Sequence, residues 1–223
     1  MTGPWMLDEL AHAGPEHLDP GFVAGFDRKQ GRPDPSEDLA LLDGRTVVDL
    51  GAGTGRFAIA AAERFDRVVA VDVSPAMLAV IRSAGLPNVE CVQAGFLTYE
   101  HRGEPADAVF TRHALHQLPD FWKAIALHRI AGMLRPGGLL RLRDLIYDFQ
   151  PGETESVLRD WFDQAVTDPQ VGYTRDDLAE HVRTEHSTFR WLLEPMLDAA
   201  GFEVLDVQFT GRVYGAYTCQ KRV

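Results

Sequence analysis

At 223 residues the chain is long enough for one sizeable core and too short for two, so a single domain is expected. Its apolar content of 45% is ordinary, and no apolar run approaches the roughly 18 residues of a membrane span, which argues against a membrane partner. A formal net charge of -11 without any lysine or arginine cluster argues against nucleic acid and leaves a small molecule as the expected partner.

The start, Met1-Thr2-Gly3-Pro4-Trp5, lacks the basic and apolar stretches of a signal peptide, and a cytoplasmic protein is expected. From Asp19 to Asp43 the pattern is helical, with Phe22, Val23 and Phe26 on one side and a break at Pro33 to Ser36. This leading segment precedes the first strand and must pack somewhere, for instance as a cap on the edge of a sheet. Strands follow near 45–50, 67–72, 89–94, 106–112 and 138–144, alternating with helices near 54–65, 75–85 and 119–135. Such alternation predicts a parallel sheet with helices on both faces, which binds ligands beyond the carboxyl ends of its strands. A charged, helical stretch at 152–186 interrupts the pattern, and Phe189 to Ala200 then reads as a helix before two runs near 202–209 and 212–220 that form an antiparallel hairpin.

The run Val47-Val48-Asp49-Leu50-Gly51-Ala52-Gly53-Thr54-Gly55-Arg56-Phe57 reads as a buried strand, a glycine turn and a helix start. Its G-x-G-x-G spacing differs from the G-x-G-x-x-G of dinucleotide folds, and no G-K-[ST] ending follows, so pyrophosphate is a poor match. The next strand ends at Asp72, about 20 residues on, where a carboxylate accepts hydrogen bonds from ribose hydroxyls. Ser74-Pro75 then reads as an N-cap and first helical residue.

Together with the Ala106 to Asp120 stretch and Leu134-Arg135-Pro136-Gly137-Gly138, these strings resemble class I S-adenosylmethionine-dependent methyltransferases over roughly residues 40 to 145. The resemblance implies a Rossmann-like, doubly wound α/β sheet of seven strands, mostly parallel, closed by the C-terminal hairpin. It divides the single domain into an N-terminal helical cap (1–43), whose leading helix it implies folds over the cofactor site, a cofactor-binding core (44–145), a helical lid (146–190) and a C-terminal helix and hairpin (191–223). It also implies S-adenosyl-L-methionine as cofactor and methyl transfer to an O or N atom of a small-molecule acceptor. The alternative keeps the cofactor without methylation, as a binding or sensor protein or a catalyst of other chemistry. A monomer or homodimer is expected.

Asp49, Gly51, Ala52, Gly53, Gly55, Asp72, Val73, Gly95, Phe96 and Arg112 are the expected cofactor contacts. At Gly95 the chain departs from relatives that carry an acid facing the adenine amino group; Phe96 either stacks there or belongs to the core. His113 and His116, beyond the fourth strand, are candidate general bases or backbone-bonding residues. Tyr147 and His186 are the acceptor-side candidates from the fifth strand and the lid. Cys91 and Cys219 read as reduced thiols without metal-ligand spacing. Helical spacing sets His181 and Glu185 on one face, and with His186 they make the one conceivable metal set; polar lid faces are ordinarily just solvated, and no metal is expected.

Overall fold

The computed structural model describes residues 3–31 and 33–223; Met1, Thr2 and Arg32, part of the expected N-terminal cap and of the leader reading, lie outside them. Seven strands form one sheet in the order β3-β2-β1-β4-β5-β8-β7, with the two-residue β6 (Thr188–Phe189) paired to the end of β5. The strands are β1 (Thr46–Leu50), β2 (Arg67–Asp72), β3 (Val89–Gln93), β4 (Ala106–Arg112), β5 (Leu134–Tyr147), β7 (Phe202–Thr210) and β8 (Tyr214–Lys221). β1 to β5 are parallel, whereas β8 runs antiparallel to both β5 and β7. The expected seven-stranded, mostly parallel sheet with a C-terminal hairpin is therefore present, and β6 adds a short eighth piece.

Both faces of the central strands are buried, so β1 and β2 read as continuous apolar runs. Along β2, Val68 and Ala70 point into one core with α3 (Ser36–Ala40), α4 (Arg56–Ala61) and α5 (Pro75–Ser83), while Val69 and Val71 point into the other. That second core is completed by α6 (Asp120–Met133) and α9 (Arg190–Ala199). β5 starts earlier than expected. Leu134 already pairs with Ala106, and the register then jumps to Ala108 and Leu139, so the Arg135-Pro136-Gly137-Gly138 turn bulges out within the strand. Gly138 is required there, since a Cβ would lie 2.9 Å from the Arg135 carbonyl oxygen.

Ahead of the sheet stand α1 (Glu9–His12), a short 3-10 turn at Pro15–Leu18, and α2 (Pro20–Lys29). Asp19 caps α2 by accepting from the Gly21 and Phe22 amides, with Pro20 in the first turn. The lid consists of α7 (Thr154–Phe162) and α8 (Arg175–Thr184), which pack through Val157, Trp161 and Leu178 onto Leu145, Tyr147 and Phe149. Thr174 and Asp177 form a reciprocal capping box at the start of α8. Arg28 and Lys29 of α2 reach across to the Gln170 carbonyl at 3.1 Å and to Asp177 at 3.3 Å, so lid and leading helix are clasped together. No helix of the described residues is long and apolar enough to cross a membrane.

Candidate active site

Strand order reverses between β1 and β4, and a cavity opens there beyond the strand ends, where doubly wound sheets hold their ligands. Ten of the expected residues line it: Asp49, Gly51, Ala52, Gly53, Asp72, Val73, Gly95, Phe96, Arg112 and His113. Gly55 lies behind that wall as the left-handed N-cap of α4 (φ 83), where a Cβ would sit 2.5 Å from Ile81. Gly51 adopts φ 71, and a Cβ there would press to 2.4 Å on that of Ala114.

The Asp72 carboxylate organises the turn, accepting from Gly53 N and Ser74 N at 2.8 Å each. Asp49 is buried, and its Oδ2 has no hydrogen-bond partner among the described residues. Burial first, then the neighbouring Asp72 charge, push the Asp49 carboxyl up to about 8. A buried carboxylate oxygen without a donor, beside glycines that leave the main chain bare, fits a ligand carrying a cationic amine. The residues present therefore fit the amino acid and ribose portions of S-adenosylmethionine.

The leading segment folds over this wall rather than only capping a sheet edge. Phe26 reaches to 3.6 Å from where a Gly53 Cβ would be, and Asp27 accepts from the Thr54 hydroxyl. Glu9 enters at the β3 end, beside Gly95. Its Oε1 accepts from Leu97 N and its Oε2 from the Thr98 hydroxyl, both at 3.0 Å, and it lines the cavity. A Cβ on Gly95 would lie 2.3 Å from Glu9 Oε1, so the glycine is what admits this carboxylate. Burial raises the Glu9 carboxyl despite these donors. Sequence reasoning missed Glu9 because 86 residues separate it from Gly95; the one signal was a glycine in the place of an acid. Phe96 lines the cavity and also packs in the core.

The four acceptor-side candidates separate. His113 lines the cavity with a left-handed backbone (φ 49), its amide donating to the Arg143 carbonyl at 2.9 Å. Burial, reinforced by the nearby Arg112, His116 and Arg143, lowers its imidazole to about 3, against the pull of Asp144. The Arg112 guanidinium makes no hydrogen bond or ion pair among the described residues; burial and the adjacent Arg143 lower it. The neighbouring Arg141 and Arg143 are instead both taken by the wholly buried Asp38, at 2.8 and 2.9 Å.

His116 lies outside this cavity wall. Its Nδ1 meets Asp144 Oδ1 at 2.5 Å and its Nε2 meets Glu185 Oε2 at 2.7 Å. Burial alone would pull this imidazole down, yet the two carboxylates outweigh it and push it up to about 10. Tyr147 also lies away from the glycine turn, in the aromatic cluster under the lid, with its hydroxyl on Ser187. His186 stands at the outer side, its ring 6.0 Å from that of His12, and its carbonyl accepts from Lys123.

Residues 47–138 match a family described as a methyltransferase domain. A trans-aconitate 2-methyltransferase of Azoarcus sp. (strain BH72) is 39% identical over 107 residues, covering 47% of this chain and 41% of that protein. The chain thus spans less than half the length of that curated relative. Among solved structures, the DhpI complex with SAH superposes with a TM-score of 0.66 at 20% identity over 96% of this chain and 97% of that one. The [4+2]-cyclase SpnF superposes with a TM-score of 0.63 at 18% identity over 86% and 84% of the two chains. Strand order and glycine turn agree with that match, and residues 47–138 resemble a methyltransferase domain on the fold of S-adenosylmethionine-dependent methyltransferases.

Proposed function

We propose that this protein is an enzyme that methylates an O or N atom of a small-molecule acceptor by in-line displacement. The observation that carries the reading is the orphaned Asp49 oxygen, set in one cavity with the bare glycine turn, Asp72 and His113. When bound, S-adenosylmethionine supplies an electrophilic methyl group on a sulfonium. In this reading Asp49 takes the amine of the amino acid portion, Arg112 its carboxylate, and Asp72 the ribose hydroxyls. Gly51, Ala52, Gly53 and Val73 offer main chain, Gly55 sets the turn, and Phe96 packs against the base beside Gly95. Glu9 replaces the missing strand-tip acid opposite the adenine amino group.

On the acceptor side, His113 stays uncharged at neutral pH, because burial among cations holds its imidazole far below the ordinary histidine range. A neutral ring can accept a hydrogen bond from an acceptor hydroxyl or amine and orient its lone pair. Orientation alone can supply up to roughly 7–11 kcal/mol of barrier lowering, so a weak base suffices. The α2 and lid segments, which clasp each other above the strand ends, exclude water from that alignment. His116 and Tyr147 are assigned to the architecture beneath the lid, and His186 to its outer side.

Calorimetric titration with S-adenosylmethionine and S-adenosylhomocysteine tests the reading. Micromolar binding of both, followed by acceptor-dependent formation of S-adenosylhomocysteine, is the expected result. Binding without consumption across an acceptor screen would favour the non-methylating alternative, and no binding by folded protein would end both.

A further inference from the structure

The histidine that leaves the cofactor cavity joins a different constellation. His116 sits on the 3-10 turn Leu115–Gln117 after β4, His181 in the last turn of α8, and Glu185 directly after that helix. One ligand atom of each lies within 4.8 Å of the other two. His116 Nε2 is 2.7 Å from Glu185 Oε2, and His181 Nδ1 is 3.3 Å from Glu185 Oε1. The far nitrogen of each ring is separately held: His116 Nδ1 by Asp144, and His181 Nε2 by the Ser187 hydroxyl at 2.7 Å.

That is the pattern in which metal-binding imidazoles are fixed, one nitrogen aimed at the ion and the other bonded to a carboxylate or hydroxyl that sets tautomer and ring angle. The ring spacing agrees as well, while His116 Nε2 and Glu185 Oε2, now in direct contact at 2.7 Å, must part to the roughly 3.3 Å between two tetrahedral zinc ligands to admit the ion. Two imidazoles bound tetrahedrally at about 2.0–2.1 Å place their ring centroids about 5 Å apart. Here the centroids are 5.1 Å apart and the planes are inclined at 61°. The buried Asp144 and the partly exposed Glu185 are the two carboxylates that meet the His116 ring.

We propose that His116, His181 and Glu185 bind one zinc-class divalent cation that clips the lid to the end of β4. Asp144 and Ser187 orient the ligands, and three protein ligands leave a fourth position for water. The helical pair His181 and Glu185 is legible in the sequence, but the third ligand is His116, not His186. An i, i+4 pair on the lid thereby completes a site on the core 65 residues away. The inference is independent of whether the cofactor cavity transfers a methyl group.

The test uses full-length protein stripped with chelator and titrated with Zn²⁺ alone, then with Co²⁺ for its visible spectrum. One equivalent of zinc should bind and raise the melting temperature, chelator should reverse the shift, and cobalt should give a tetrahedral spectrum without thiolate charge-transfer bands. His181→Ala and Glu185→Gln should each weaken zinc by more than about 100-fold, and Ser187→Ala by about 10-fold. S-adenosylhomocysteine binding by these variants reports that they are folded. Absence of stoichiometric zinc binding by the wild-type chain would overturn the site in favour of an imidazolium bridging two carboxylates. Thiolate bands, or zinc affinity unchanged in folded variants, would overturn it in favour of an ion held elsewhere.

Discussion

At the scale of single residues, the cavity holds one buried carboxylate oxygen, Asp49 Oδ2, without a partner among the described residues. Asp49 illustrates how this couples cofactor binding to pH. Its carboxyl is pushed up to about 8 by burial and Asp72, so it is protonated in the ligand-free protein at neutral pH. An ammonium group favours the ionised form, and binding must then expel the proton. Affinity for S-adenosylhomocysteine should therefore rise from about pH 6 to about pH 8, by at most about tenfold per unit. Calorimetry in buffers of different ionisation enthalpy should register proton release near pH 7, and buffer-independent heats would refute the coupling. Glu9 offers a second residue-scale test. Glu9→Ala should weaken S-adenosylhomocysteine by about 1–3 kcal/mol, the scale of a lost hydrogen bond to a charged group. The inosine analogue, which lacks the amino group, should bind wild type and variant alike; an equal loss for both ligands would reduce Glu9 to a loop support for Leu97 and Thr98.

Between elements, the decisive contacts join segments far apart in the chain. α2 touches the glycine turn through Phe26 and Asp27, and the lid through Arg28 and Lys29. Its own start is secured locally by Asp19 and Pro20, and α8 is likewise started by Thr174 with Asp177. Thr174 Oγ1 accepts from Asp177 N at 3.2 Å, while the Asp177 carboxylate takes the Thr174 amide at 2.8 Å. Thr174→Ala should destabilise α8 by about 1 kcal/mol, seen as about fivefold faster exchange of the helix amides with the sheet amides unchanged. Uniform acceleration throughout the protein would mean that the lid opens only with global unfolding.

Over the whole molecule, a buried ionic knot fastens the helical layer to the sheet. Asp38 of α3 is wholly buried and binds Arg141 and Arg143, and Arg141 also donates to the Thr218 hydroxyl at 3.1 Å on β8. Removing one partner of such a pair leaves charge stranded in a low-dielectric interior. Asp38→Ala should lower the unfolding free energy by about 3–5 kcal/mol in urea titrations, whereas loss of an exposed pair such as Arg45 with Asp66 should change it by less than about 1 kcal/mol. The alternating strands and helices, the glycine turn, the Asp72 strand tip and the closing hairpin were legible in the sequence, because each rests on local periodicity, capping or backbone conformation. The bulge that draws Leu134 into β5, the arrival of Glu9 beside Gly95 and the withdrawal of His116 from the cofactor wall were not. Those depend on which distant segment fills the space next to a given side chain. Burial and the partner it supplies, rather than residue type, decide whether His113 faces the cavity as a neutral ring while His116, three residues on, is enclosed by carboxylates beneath the lid.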